Sequence, residues 1–204
     1  MEGDIWREMM NLNSEMESRL STKHRGKICG IGVNDAPFTT SMRKDGKVYH
    51  HTAYKDWHNM INRCYSGKYP SYQGVVVVDK WHYFMNFHTW WCNNYQQGYA
   101  LDKDLLVEGN KVYGPDTCIY IPVWLNSYIS RNGKHARGVT FDKKRCKFKA
   151  QRSKNDPRGR YIGYFDTEEE AHTKWESENI FDNDLKSLDI SLQELVLKRY
   201  GFLK

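Results

Sequence analysis

Leu101-Asp102-Lys103-Asp104-Leu105, Gly109-Asn110, Thr117-Cys118-Ile119-Tyr120-Ile121-Pro122 and Asn126 form the stretch whose pattern decides how the middle of the chain folds. It reads as a strand, a loop, a second strand and the start of a helix, with polar side chains at the element ends. Upstream, Tyr54, Trp57, Met60, Ile61 and Cys64 share one helical face. Tyr69-Pro70-Ser71-Tyr72-Gln73-Gly74 then turns the chain into a strand at Val75 to Val78. Trp81, Phe84, Phe87 and Trp91 follow at spacings of three and four, which predicts a second helix. So many aromatic side chains also suit base stacking, but their helical spacing points to a packed core.

The C-terminal third carries a different signal. Residues 134 to 160 hold eleven Lys or Arg against Asp142 and Asp156, a local excess of nine, whereas the whole chain carries +6. The remainder is therefore net acidic, and the asymmetry is that of a surface for a polyanion. Gly138-Val139-Thr140-Phe141-Asp142 and Cys146-Lys147-Phe148-Lys149-Ala150-Gln151-Arg152 alternate apolar and polar residues, and Tyr161-Ile162-Gly163-Tyr164-Phe165 makes a third short strand. A turn is expected at Asn155 to Gly159, and Asp166 or Thr167 is expected to cap a helix through Glu168, Glu169, Glu170, Ala171 and Trp175. Alternation puts Phe148 and Ala150 towards that helix and Lys147, Lys149 and Gln151 on the other side. Basic strands also serve simply as solvated, aggregation-resistant edges.

Together with Trp57-His58-Asn59-Met60 and Arg63-Cys64-Tyr65, the middle stretch resembles phage-encoded HNH homing-endonuclease-like proteins of the ββα-metal class, from about Gly30 to Ser130. In that pattern the first strand ends in an acidic residue followed by histidine, the loop carries an asparagine, and the helix supplies a last asparagine or histidine. The resemblance places those roles on Asp102, Lys103, Asn110 and Asn126. It implies a divalent cation, Mg²⁺ or a similar ion, held by Asp102 and Asn126 on the scissile phosphate, with a base activating water. Lys103 stands where the family has histidine. Lysine ordinarily titrates near ~10.4, so it serves as a base only after a depression of several units. Asp104, two residues from Asp102, is a further candidate ligand or base on the same strand face, and His50 or His51 a candidate substitute for the missing base. The plainer reading is a solvated Asp-Lys-Asp edge with Asn110 as a turn residue.

Residues 136 to 181, opening on Gly-Val-x-Phe and closing on Gly-Tyr-Phe-Asp-Thr-Glu-Glu-Glu-Ala, resemble the APETALA-type DNA-binding domain of plant ethylene-response factors and phage endonucleases. That family lays its sheet in the major groove, which implies DNA contacts from Arg137, Lys143, Arg145, Lys147, Lys149, Arg152 and Arg160. Lys147 stands where the family usually has tryptophan.

The remaining residues set bounds. The longest apolar run, Val75 to Val78, is far too short for a bilayer, and the start at Glu2-Gly3-Asp4 does not read as a signal peptide. Cys29, Cys64, Cys92, Cys118 and Cys146 are widely spaced with no Cys-x-x-Cys pair, so no structural zinc is expected. His58, His82 and His88 show no zincin-like spacing and read as polar surface or interface residues. Ile5, Met9, Leu12, Met16 and Leu20 make an amphipathic stripe that can pack on its own domain or pair two copies. Ser21 to Lys27 reads as a basic tether, Thr39 to Gly46 as a turn-rich loop, and Ser191-Leu192-Gln193-Glu194 as a capping box for a last helix ended by Gly201.

The expected protein is α+β. Residues 1–29 would form an N-terminal helix and tether, residues 30–132 the HNH-like ββα-metal unit, and residues 133–204 a small three-stranded antiparallel sheet packed on a helix, with a C-terminal helix. The expected function is binding of double-stranded DNA and its metal-dependent nicking or cleavage, in the cytoplasm of a phage's host, by a monomer or a homodimer formed through the N-terminal helix. Asp102, Lys103, Asp104 and Asn110 would form the catalytic set. The alternatives are a catalytically degenerate DNA-binding protein on the same scaffold, and a phage protein that binds a host protein.

Overall fold

Ala53, Trp57, Met60 and Ile61 recur at helical spacing and are buried on one face of α2 (Thr52–Tyr65). Trp57 is fully enclosed, and its indole N–H reaches the carbonyl of Trp81 at 2.7 Å. Trp81 itself lies on a 3-10 turn, Asp79–His82, and α3 begins only at Phe84 (Phe84–Asn94). The second helix is thus shorter than its aromatic spacing predicts, although Trp81, Phe84, Phe87 and Trp91 all enter the same core.

This computed structural model describes residues 2–21, 26–129, 134–152, 159–178 and 186–200, and the chain divides into two units, Met1–Asn126 and Ser127–Lys204. In the first unit, α1 (Glu2–Glu17) buries Leu12 and Met16 beside Met42. Asn13 fixes it further, because its side-chain oxygen accepts the backbone N–H of Thr52 at 3.1 Å and its amide donates to the Thr52 hydroxyl at 3.1 Å. Asn13 thereby caps α2, whose own preceding residue, His51, makes no side-chain cap. Of the two roles open to the N-terminal helix, packing on its own domain or pairing two copies, the described contacts are of the first kind. Of the tether read at Ser21 to Lys27, residues 22–25 lie outside the described residues.

The loop expected at Thr39 to Gly46 contains a hairpin instead. Strands β1 (Ser41–Lys44) and β2 (Lys47–His50) pair antiparallel through Asp45 and Gly46, both at positive φ (49° and 74°). Asp-Gly is the dipeptide that such a two-residue turn requires. Strand β3 (Val76–Val77) pairs parallel with β5 (Val112–Tyr113), and β4 (Tyr99–Asp102) pairs antiparallel with β6 (Ile119–Pro122). Helix α4 (Val123–Ile129) follows β6 without a break. Asp56 on α2 accepts the Tyr120 hydroxyl at 2.7 Å and the Trp91 indole N–H at 3.4 Å, which ties α2, α3 and β6 together.

The second unit is a three-stranded antiparallel sheet, β7 (Val139–Asp142), β8 (Lys147–Gln151) and β9 (Tyr161–Phe165), in that order. Helix α5 (Glu168–Glu178) packs on it through Ala171 and Trp175, against Val139 and Ala150. Thr167 caps the helix reciprocally with Glu170: its hydroxyl accepts the Glu170 N–H, and the Glu170 carboxylate accepts its own, both at 3.2 Å. The last helix, α6 (Ile190–Tyr200), starts one residue before the expected capping box, because Asp189 accepts the Leu192 N–H at 2.9 Å in place of Ser191. The turn expected at Asn155 to Gly159 lies outside the described residues except for Gly159, as does Gly201.

Gly138, at φ 74°, lies under the indole of Trp175, where a β-carbon would sit 2.1 Å from the ring. Gly138→Ala therefore combines a left-handed backbone with overpacking, and we expect it to lower the stability of the second unit by roughly 2–4 kcal/mol in denaturant unfolding.

Candidate functional site

Asp102 is the last residue of β4 and is only 5% exposed. One of its carboxylate oxygens accepts the backbone N–H groups of Asp104 (2.9 Å) and Leu105 (2.7 Å), so it closes the turn that leaves the strand. Burial raises its pKa, and these two hydrogen bonds work against that rise. Asp104 lies beyond the strand, so the two-residue period that would have put it on the face of Asp102 does not apply; it pairs instead with Lys103.

Lys103 is folded inward, 9% exposed, with its ammonium 3.1 Å from the carbonyl of Asn110 and over the ring of Tyr113. Asn110 fastens the other end of the loop. Its amide donates to the carbonyls of Lys103 (2.6 Å) and Val112 (2.7 Å), and its side-chain oxygen accepts the Val112 N–H at 3.0 Å. Asn126 sits on the first turn of α4, which continues directly from β6, the strand paired with that of Asp102. The order strand, loop, strand, helix is thus present, and Asp102, Lys103 and Asn110 are joined into one hydrogen-bonded loop.

On the C-terminal sheet the register sets Lys149 opposite Tyr164 and Gln151 opposite Tyr161. Phe148 and Ala150 belong to the core under α5, so Lys147, Lys149 and Tyr164 occupy the opposite, open face. There the Lys149 ammonium lies 5.9 Å from the ring centre of Tyr164 and 6.0 Å from that of Tyr161, and the Arg145 guanidinium lies 4.9 Å from Tyr164. Asp142 accepts the Tyr164 hydroxyl at 3.0 Å, a bond that lowers the pKa of the carboxyl and raises that of the phenol. Lys147 pairs with Asp166 at 3.0 Å, and Lys143 and Arg160 are exposed.

Two of the basic residues differ in setting. Arg152 is only 12% exposed, donates to the carbonyls of Gly159 and Tyr161, and pairs with Glu178, so its charge holds the sheet to α5. Arg137 is half-buried just before β7, and its carbonyl is 3.0 Å from His172 Nδ1.

A third grouping was not anticipated from sequence. Glu17 at the end of α1, the fully buried His51 before α2, and His88 on α3 bring one ligand atom each within 4.8 Å of one another, and together they can hold a metal ion. Burial lowers the pKa of His51, which favours its neutral, ligating form. His51 is therefore committed to Glu17, and His50 bonds to Ser41 at 2.7 Å. The three residues are far apart in sequence, so no spacing rule gathers them; the one local signal was His88 and Cys92, four apart on a helix.

Comparison with protein-family models, curated proteins and solved structures gives no match to this chain. No helix among the described residues is long and apolar enough to cross a membrane.

The Asp102 turn yields a test. Asp102→Ala strands two backbone N–H groups and should cost about 1–3 kcal/mol, whereas Asp102→Asn keeps the acceptor and should cost less. Because the folded pKa of Asp102 lies above its unfolded value, wild type should lose stability relative to Asp102→Asn as pH rises through the carboxylate range up to that folded pKa. Thermal unfolding of the three proteins against pH checks both statements.

Proposed function

We propose that this chain binds double-stranded DNA through the open face of the β7 to β9 sheet. The carrying observation is the segregation of that face: Arg145 and Lys149 lie beside Tyr161 and Tyr164, Lys147 is on the same side of β8 as Lys149, and α5 with its acidic first turn packs on the other side. Phosphate contacts from such a face supply affinity and orientation. Cationic side chains stand beside both tyrosine rings while Tyr161 itself stays exposed, and their charge suits contact with duplex phosphates. The resemblance to the APETALA-type domain points the same way.

A second reading, metal-dependent cleavage of the HNH type, is favoured by the order of β4, β6 and α4, with Asp102 at a strand end and Asn126 on the helix. On this reading Asp102 and Asn126 would hold a divalent ion and a bound water would attack phosphorus in line. The hydrogen bonds that already engage Asp102, Lys103 and Asn110 favour binding without cleavage.

Gel shifts on duplex DNA should show affinity that falls steeply with salt. Arg145→Gln, Lys147→Gln and Lys149→Gln combined should weaken binding roughly tenfold or more and reduce the salt slope by about one per lost phosphate contact. Unchanged duplex affinity, or a clear preference for single strands, would sink the proposal. Incubation of supercoiled DNA with Mg²⁺, Mn²⁺ or chelator decides the second reading: it requires metal-dependent nicking that Asp102→Asn abolishes while its DNA affinity stays intact.

A further inference from the structure

We propose that Glu17, His51, His88 and Cys92 form a zinc site that clamps the end of α1 onto α2 and α3. The spacing of the donor atoms carries the argument. A tetrahedral zinc with nitrogen and oxygen ligands at about 2.0–2.1 Å sets those atoms roughly 3.3 Å apart. A single oxygen of Glu17 lies 2.9 Å from His51 Nε2 and 3.3 Å from His88 Nε2. Cys92, one turn beyond His88, places its sulfur 3.8 Å from Nδ1 and 3.9 Å from Nε2 of that ring, near the roughly 3.6 Å expected between a thiolate and an imidazole on one zinc. The Cys92 sulfur lies outside the three donor atoms that are within 4.8 Å of one another, so its ligation requires the exposed side chain to turn about its one torsion towards the ion.

Two imidazoles converge through Nε2 on one carboxylate oxygen, so the three donors already face a common point. Two imidazoles, a thiolate and a carboxylate suit zinc better than magnesium, which takes oxygen ligands. Four protein ligands would close the coordination sphere, which is the arrangement of structural zinc sites. The ion would join three segments that are remote in sequence, and its binding energy would become folding energy for the first unit. The proposal departs from the expectation, drawn from cysteine spacing, that the chain holds no structural zinc.

The test is elemental analysis of the full chain, expressed without a polyhistidine tag and purified without a metal column, followed by titration of metal-stripped protein with Zn²⁺ against a chromogenic chelator. One equivalent of zinc per chain is expected, with a melting temperature that falls on chelation and returns with Zn²⁺, and amide exchange in α1 that quickens without metal. With Co²⁺ in place of zinc, a thiolate charge-transfer band should appear and vanish in Cys92→Ser, and Glu17→Gln should weaken zinc binding by at least about tenfold. Both variants alter exposed side chains and are expected to fold, which far-ultraviolet dichroism checks. Sub-stoichiometric zinc with a melting temperature indifferent to Zn²⁺, or binding unchanged in both variants, overturns the site. DNA affinity is not a readout here, so this outcome is independent of that of the sheet.

Discussion

The hydrogen bond from the Tyr120 hydroxyl to the half-buried carboxylate of Asp56 sets the arrangement of the first unit. Tyr120 stacks on Trp90, and the Trp91 indole shares the same carboxylate oxygen. A carboxylate in such surroundings is destabilised by desolvation, which raises the pKa of Asp56, and donors from α3 and β6 partly offset this. That requirement for donors fixes where β6 can lie on the helices. Because β4 is registered on β6, Asp102 and the loop after it are placed by the same contact.

Helices with an apolar repeat were legible in the sequence because burial of aromatic side chains writes its own period. Tyr54, Trp57, Met60 and Ile61 gave α2, and alternation around Phe148 and Ala150 gave both the third sheet and its buried side. Short elements were less legible. The hairpin of β1 and β2 has largely exposed strands with little alternation, so only Asp45-Gly46 marked it. Trp81 kept the spacing of a helix while lying on a 3-10 turn, since a core accepts a side chain from either backbone.

Beyond His88 and Cys92, four apart on one helix, the metal-competent cluster was not legible, and the reason is physical. Its members meet only because Asn13 and Thr52 dock α1 beside α2, and because α2 and α3 pack through Trp57, Phe84 and their neighbours. Nothing in the local pattern around Glu17 reports a tertiary contact with His51. A histidine flanked by polar residues reads the same whether it ends on the surface or, as His51 does, wholly enclosed.

The charged and polar residues singled out from sequence divide by whether the fold itself uses them. Asp102, Lys103 and Asn110 satisfy backbone groups within one loop, and Arg152 is held between strand carbonyls and Glu178, so each has a sufficient structural reason to be where it is. Lys143, Lys147 and Lys149 are less engaged: among the described residues their side chains reach no backbone carbonyl of the core, and the pair of Lys147 with the exposed Asp166 contributes little, whereas Arg145 bonds Tyr164 and Asp142 at the edge of the same face. Like charges gathered on one face repel one another, which opposes folding, although basic strands also resist edge-to-edge aggregation. The accumulation of positive charge on the side away from α5 is therefore the feature on which the proposed binding of a polyanion with regularly spaced phosphates rests.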